Sequence, residues 1–272
     1  MCSMPGLAAS ALPAVASPCN DERAMQLDVL AFAAHPDDVE LSCGGTLIKL
    51  ARAGYRTGIV DLTRGELGTR GTPEIRAREA EEASRILGLR VRENLGLPDG
   101  DIPLSREARL AVIRLLRRYR PHLILINAPT DRHPDHEHAA RLVVEAAFYA
   151  GLRRIETTEE DGSPQQPWRP YHILHYLQHD DLRPHFVVDI SDVIEERLQA
   201  VRAYASQVFN PSYGGEDPPT LLSTDRFWEG LVGRLRHFGL LIGAAYGEGF
   251  RYQRWPLRVD DLMQVFASRP PR

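Results

Sequence analysis

Two short and almost wholly apolar runs constrain this chain most: "LDVLAFAA" at 27–34 and "HLILINAP" at 122–129. A strand covered on both faces reads as a continuous apolar run, and such strands belong to parallel sheets flanked by helices. The residues between them supply the helices. "GGTLIKLARAG" (44–54) has helical spacing and ends on a glycine suited to a C-cap. "RTGIVDLT" (56–63) reads as a second strand. Thr72-Pro73-Glu74 then combines an N-cap, a proline at the first helical position and an acid in the first turn, and the helix it opens stops at Gly88. "VRENLGL" (91–97) reads as a third strand, Ser105 caps a helix running through Arg120, and 137–151 is again helical. This alternation predicts an α/β fold with a Rossmann-like, mostly parallel sheet and helices on both faces. Ligands in such sheets sit at the carboxyl ends of the strands.

Beyond residue 150 the pattern is looser. Residues 156–170 are polar and Pro-rich, and read as a surface loop; 171–179 and 185–191 read as strands. Residues 192–207 read as a helix, 210–225 as a Pro/Gly loop and 226–247 as a last helix weakened by glycines.

Composition excludes several function classes. The net charge of the 272 residues is -4 without a basic stripe, which argues against a nucleic-acid partner. "RLLRRYR" (114–120) reads as a solvated helix end. No run reaches the ~18 apolar residues of a membrane span. The three cysteines, Cys2, Cys19 and Cys43, form no C-x-x-C pair, which argues against a disulfide framework and for a cytoplasmic protein. Residues 1–24 are rich in Ala, Ser and Pro and lack a basic n-region, so they read as a disordered extension, with Met25 as the functional start and 25–272 as one domain.

The chemistry concentrates in two loops that write nearly the same tetrapeptide, His35-Pro36-Asp37-Asp38 and His133-Pro134-Asp135-His136. One His-Pro-Asp alone is an ordinary turn whose Asp caps the next helix. Two of them, each closing an apolar strand and opening a helix, lie where such a sheet binds ligands. A catalytic Zn2+ takes three His or carboxylate ligands and leaves a place for water. His35 and Asp38 could supply two ligands and His136 the third, with Fe(II) or Co(II) as other cations such ligands accept. Asp37 would then be a general base, His133 an oxyanion or leaving-group partner, and Asp135 the residue that orients His133.

Other features are weaker. Arg64, Glu66 and Arg70 follow the second strand and could contact substrate, as could Arg132 beside His133, arginines being suited to carboxylates. "LQHDD" (177–181) could complete the pocket but reads rather as a surface turn, and Cys43 reads as a small buried hydrophobe. The alternative is a non-catalytic sugar- or nucleotide-binding α/β protein, and the absence of G-x-G-x-x-G after the first strand weakens its dinucleotide version.

"AHPDDVELSCGGTL" and "HPDHEHAA" resemble the two signature motifs of the LmbE-like (PIG-L) zinc-dependent N-acetylglucosamine deacetylases. The resemblance implies zinc on His35, Asp38 and His136, one ion per chain, a general base at Asp37 and a transition-state partner at His133. Three further stretches, "TRGELGTRGT", "SQVFNPSYGG" and "GLLIGAAYGEGF", resemble the subgroup of bacillithiol biosynthesis, which deacetylates N-acetylglucosaminyl malate. The implied substrate is thus that conjugate, with another N-acetylglucosamine conjugate as the alternative. The implied assembly is a homo-oligomer such as a hexamer.

Overall fold

The computed structural model of the protein describes residues 26–180, 183–253 and 260. The reading of residues 1–24 as a disordered extension, and of Met25 as the start, lies outside the described residues.

Among the described residues, seven strands form one sheet in the order β3-β2-β1-β4-β5-β7-β6. These are β1 (Val29–Ala33), β2 (Thr57–Thr63), β3 (Val91–Leu97), β4 (Leu123–Ile126), β5 (His172–Tyr176), β6 (Phe186–Asp189) and β7 (Gly247–Tyr252). The first five strands pair in parallel, as the apolar runs predicted. β7 runs antiparallel between β5 and β6. Six α-helices of the described residues pack around the sheet: α1 (Asp38–Arg52), α2 (Pro73–Leu87), α3 (Arg106–Tyr119), α4 (Pro134–Ala150), α5 (Ile194–Arg202) and α6 (Asp225–Ile242). All five residues of β1 are buried, which is why its sequence does not alternate.

Two apolar cores cover the two faces of the sheet. One joins Leu30, Phe32 and Ile124 to Ile113 and Leu116 of α3 and Leu142 and Val143 of α4. The other joins Ala31, Ile59 and Leu125 to Leu47 of α1, Leu87 of α2 and Leu235 of α6. The chain moves outward from β1 to β2 to β3, then returns to place β4 on the other side of β1. The loops after β1 and β4 therefore flank the point where strand order reverses, which is the ligand crevice of an open α/β sheet.

The structure departs from the sequence reading in several places. β7 is not visible as a strand, because Gly247, Glu248 and Gly249 hide the pattern. The glycines are required there: a Cβ on Gly249 would lie 3.0–3.1 Å from the Phe238 ring, and one on Gly247 would lie 2.5 Å from Val187. The last helix ends at Ile242 rather than 247, closed by Gly243 in the left-handed region at φ 72°. Helix α1 begins within the first motif, at Asp38, and is kinked at the buried Cys43 (φ -142°). The arginine-rich end of α3 is only partly solvated. Arg117 is buried and donates to the carbonyls of Ala150, Leu152 and Ile155, holding the loop after α4.

Candidate active site

The end of β1 is fixed before the site begins. The Ala34 N–H donates to Asn127 Oδ1 (3.0 Å), and Thr63 Oγ1 donates to the Ala34 carbonyl (2.9 Å). His35 follows, and its N–H donates to Asp38 Oδ2 (3.0 Å). Between them Asp37 adopts φ 116°, a strained conformation for a residue with a Cβ. Arg76, buried on α2, holds that turn. It donates to the Pro36 carbonyl, to Asp37 Oδ2 at 3.1 Å and to the Gly65 carbonyl at 3.2 Å.

The two motif loops meet. Asp38 lies between the imidazoles: its Oδ1 is 3.2 Å from His136 Nε2 and its Oδ2 is 3.7 Å from His35 Nδ1. Gln178 Nε2 (2.8 Å) and Asn127 Nδ2 (3.1 Å) also donate to this carboxylate. Burial disfavours the charge on Asp38, but the His136 and His35 imidazoles outweigh it and hold the carboxyl well below its usual range. His136 responds in the opposite sense. Burial works against its charge, and Asp38 and Asp131 raise it to about 9. Ring nitrogens of His35, His133 and His136 approach one another within 4.8 Å.

The other nitrogen of His35, Nε2, faces Asp99 (3.0 Å) and Asp135 (3.2 Å). The Asp135 carboxylate also accepts the Gly100 N–H (2.8 Å). Its contact with His133 runs through the backbone instead: the Asp135 N–H donates to His133 Nδ1 (3.3 Å), so His133 caps α4. The side chain of Asp135 thus faces His35, not the His133 it was expected to orient. Burial and the neighbouring His35 and His136 lower the pKa of His133. Asp37 is pushed up to about 7, chiefly by burial, with Arg76 opposing the rise.

Two imidazoles and a carboxylate, buried and converging, form an N,N,O donor set of the kind that binds Zn2+ and related divalent cations. The carboxylates of Asp99, Asp131 and Asp135 around them supply the negative charge such an ion needs. The cluster forms the floor of a cavity of about 430 Å³, walled by Leu41, Leu67, Arg132, His179, Leu221 and Leu222 among others.

Comparison with known proteins settles the family. A model of the PIG-L family, GlcNAc-PI de-N-acetylase, matches residues 30–147. The diacetylchitobiose deacetylase of Thermococcus kodakarensis is 32% identical over 235 residues, 82% of each chain. This chain belongs to the PIG-L family. A protein from Bacillus anthracis named "Probable N-acetyl-alpha-D-glucosaminyl L-malate deacetylase 2" is 25% identical to this PIG-L chain, over 66% of it and 80% of the relative. The crystal structure of the conserved protein TT1542 from Thermus thermophilus superposes with a TM-score of 0.74 at 40% identity, covering 86% of this chain and 98% of that one. The PIG-L member described here is accordingly a hydrolase of N-acetyl amides.

The arginines expected to bind substrate in this PIG-L enzyme divide. Arg70 is buried and engaged away from the cluster: its Nε donates to the Ser206 carbonyl (2.7 Å), and its guanidinium lies over the Tyr213 ring. Arg64 is exposed and lines a different groove, between α2 and β3. Glu66 accepts the N–H groups of Arg64 (3.2 Å) and Asp99 (3.0 Å), so it braces the loop that carries Asp99. Only Arg132 of the four lines the cavity, and it is exposed there.

Several PIG-L site residues escaped the sequence reading. Arg76, Asp99, Asn127, Asp131 and Gln178 stand outside both motifs, and nothing in their local pattern marks them. Gln178 and His179 belong to the stretch expected to be a surface turn. That expectation fails at both: Gln178 is buried against Asp38, and His179 lines the cavity. Asp180 is exposed, and Asp181 lies outside the described residues.

Proposed function

We propose that this PIG-L enzyme hydrolyses the N-acetyl group of an N-acetylglucosamine conjugate, as one domain over 25–272, with one Zn2+ per chain held by His35, Asp38 and His136. The observation that carries the reading is Asp37. Its buried carboxyl, pushed up to about 7, sits beside the converging imidazoles at the floor of the cavity. When bound, the cation supplies Lewis acidity toward the amide carbonyl and acidifies water. Asp37 acts as general base, because its carboxylate lines the same cavity as the three histidines and is within reach of a water bound there. Arg76 keeps this carboxylate in place.

His133 supports the oxyanion. Its Nδ1 accepts a backbone N–H, so the neutral ring carries its proton on Nε2, where it can donate to the tetrahedral oxygen. Its lowered pKa favours that neutral form. The water oxygen joins the carbonyl carbon, and the C–N bond then breaks. The proton taken by Asp37 goes to the departing nitrogen, leaving acetate and a free amine. Asp135 serves both histidines, His35 through its carboxylate and His133 through its N–H.

The group attached to the sugar is best read as neutral. Of the two arginines that line the cavity among the described residues, Arg76 already serves three acceptors, and the wall carries Leu67, Leu221 and Leu222. That fits a second sugar ring, as in the substrate that the Thermococcus relative is named for. The malate conjugate is a second reading, supported by Arg132 at the cavity wall and by the name of the Bacillus relative. A cytoplasmic homo-oligomer completes the proposal, supported by the family resemblance and the free thiol of Cys43.

A panel of N-acetylglucosamine conjugates incubated with purified, zinc-loaded enzyme and assayed for acetate and amine tests this. Turnover of neutral disaccharides above the malate conjugate is expected. The malate reading wins if the malate conjugate is preferred and Arg132→Ala abolishes that preference. No acetate from any member would refute the proposal.

A further inference from the structure

Each of the two histidines assigned to the cation has its second nitrogen turned toward a carboxylate. For His35 the partners are Asp99 and Asp135. For His136, whose Nε2 is 3.2 Å from Asp38, the opposite nitrogen Nδ1 lies 3.3 Å from Asp131 Oδ1. Asp131 is a loop residue between β4 and α4 with a fully buried side chain. It gathers three segments. Oδ1 accepts the His133 N–H (3.4 Å), Oδ2 accepts the His179 N–H from the loop after β5 (3.3 Å), and its own N–H donates to Glu137 Oε1 (3.3 Å). His136 Nδ1 is in reach of this carboxylate but makes no aligned hydrogen bond. The His179 ring stands 3.9 Å from the same oxygen.

An imidazole ligates through a nitrogen that carries a lone pair, so its other nitrogen must carry the proton. A carboxylate at that other nitrogen pins the proton, orients the ring and makes the ligating nitrogen more basic. We propose that Asp131 is a positioning residue for the cation site: it holds the Nδ1–H of His136 and so presents Nε2 to the cation beside Asp38. The proposal rests on the ligand assignment made above. His35 repeats the arrangement with its two carboxylates, so both imidazoles are oriented from behind.

The test compares wild-type protein with Asp131→Asn, both stripped of metal and titrated with Zn2+ against a chromophoric chelator. The asparagine is isosteric, but its single oxygen keeps only one of the two N–H groups that the separate carboxylate oxygens accept from His133 and His179, and the charge facing His136 is lost. The dissociation constant for Zn2+ is expected to rise about 10- to 100-fold, while the urea midpoint of the metal-free protein reads separately the stability lost with one loop hydrogen bond. Equal Zn2+ affinity in the two proteins would overturn the proposal, whatever happens to activity. A wild-type protein that binds no Zn2+ would instead overturn the ligand assignment beneath it. A second measurement needs no variant. In 15N-histidine spectra of the metal-loaded wild type, His136 is expected to show a protonated Nδ1 and a ligating Nε2. Ligation through Nδ1 would sink the idea even if Asp131→Asn fails to fold.

Discussion

The Arg76 guanidinium donates to the Asp37 carboxylate at 3.1 Å and, on the same nitrogen, to the carbonyl of the preceding residue, Pro36. One buried arginine from α2 thereby holds both the backbone and the side chain of the residue assigned as general base. That grip explains how Asp37 stays at φ 116°, a conformation that costs on the order of 1–3 kcal/mol for a residue other than glycine.

Replacing Asp37 by Asn removes the proton acceptor and leaves the three assigned cation ligands intact. A fall in kcat of about 10²- to 10⁴-fold is expected, with the stoichiometry of bound Zn2+ unchanged. Acetate release and metal analysis on the same preparation check both halves.

Arg76→Ala should unfold more than it inactivates. It leaves a buried carboxyl and two carbonyls without their donor, and removing one partner of a buried pair costs about 3–5 kcal/mol. Arg76→Lys keeps a charge but cannot reach three acceptors, so an intermediate loss is expected. Urea denaturation of the three proteins gives the order.

The raised pKa of Asp37 makes a pH prediction for metal-free protein. The folded state holds this proton up to about 7, against an ordinary value of 3.8, so folding binds a proton between those limits. The stability this contributes is complete at acid pH and is lost as pH rises toward 7. Asp37→Asn abolishes that loss. The variant should therefore gain stability over wild type between pH 4 and pH 7, by up to about 4 kcal/mol. Denaturant midpoints of both proteins at pH 4.5 and pH 8 would disprove this if their difference were the same.

Arg70→Ala should cost stability rather than selectivity. The guanidinium serves the Ser206 carbonyl and the Tyr213 ring, away from the cavity. A loss of about 1–3 kcal/mol is expected from the acceptor left without its donor. The ratio of kcat/KM for charged and neutral conjugates should not move; a selective loss on the malate conjugate would return Arg70 to the substrate site.

Gly247→Ala tests why β7 is glycine-rich. The new Cβ would lie 2.5 Å from Val187 and about 3 Å from the backbone of α6 at Phe238 and Gly239. A loss of about 1–3 kcal/mol is expected for such overpacking, exceeding that of Gly249→Ala, which meets only the face of a ring. Thermal midpoints rank the two.

Much of the fold was legible because its signals are local. The unbroken apolar runs of β1 and β4 announced strands covered on both faces, and Thr72, Ser105 and Gly88 marked helix ends that the structure reproduces. β7 was illegible because its residues were selected for close approach to α6 rather than for strand propensity. The motif residues His35, Asp38, His133 and His136 announced themselves by type and spacing, and the sheet brings them together.

The sequence by itself determined the alternation of strand and helix, the loops that carry the chemistry and the residue types able to hold a cation. Each of these depends on residues a few positions apart, where period and side-chain chemistry act directly. Tertiary structure alone decided who surrounds them. Arg76, Asp99, Asn127, Asp131 and Gln178 come from four separate segments, Asn127 and Asp131 sharing the loop after β4, and converge because the strand order reverses between β1 and β4. It also turned Asp135 toward His35 and drew Arg70 away from the cavity. A buried polar group must find a partner within about 3 Å, and the chain's path through space, not its local pattern, determines which residue is near enough.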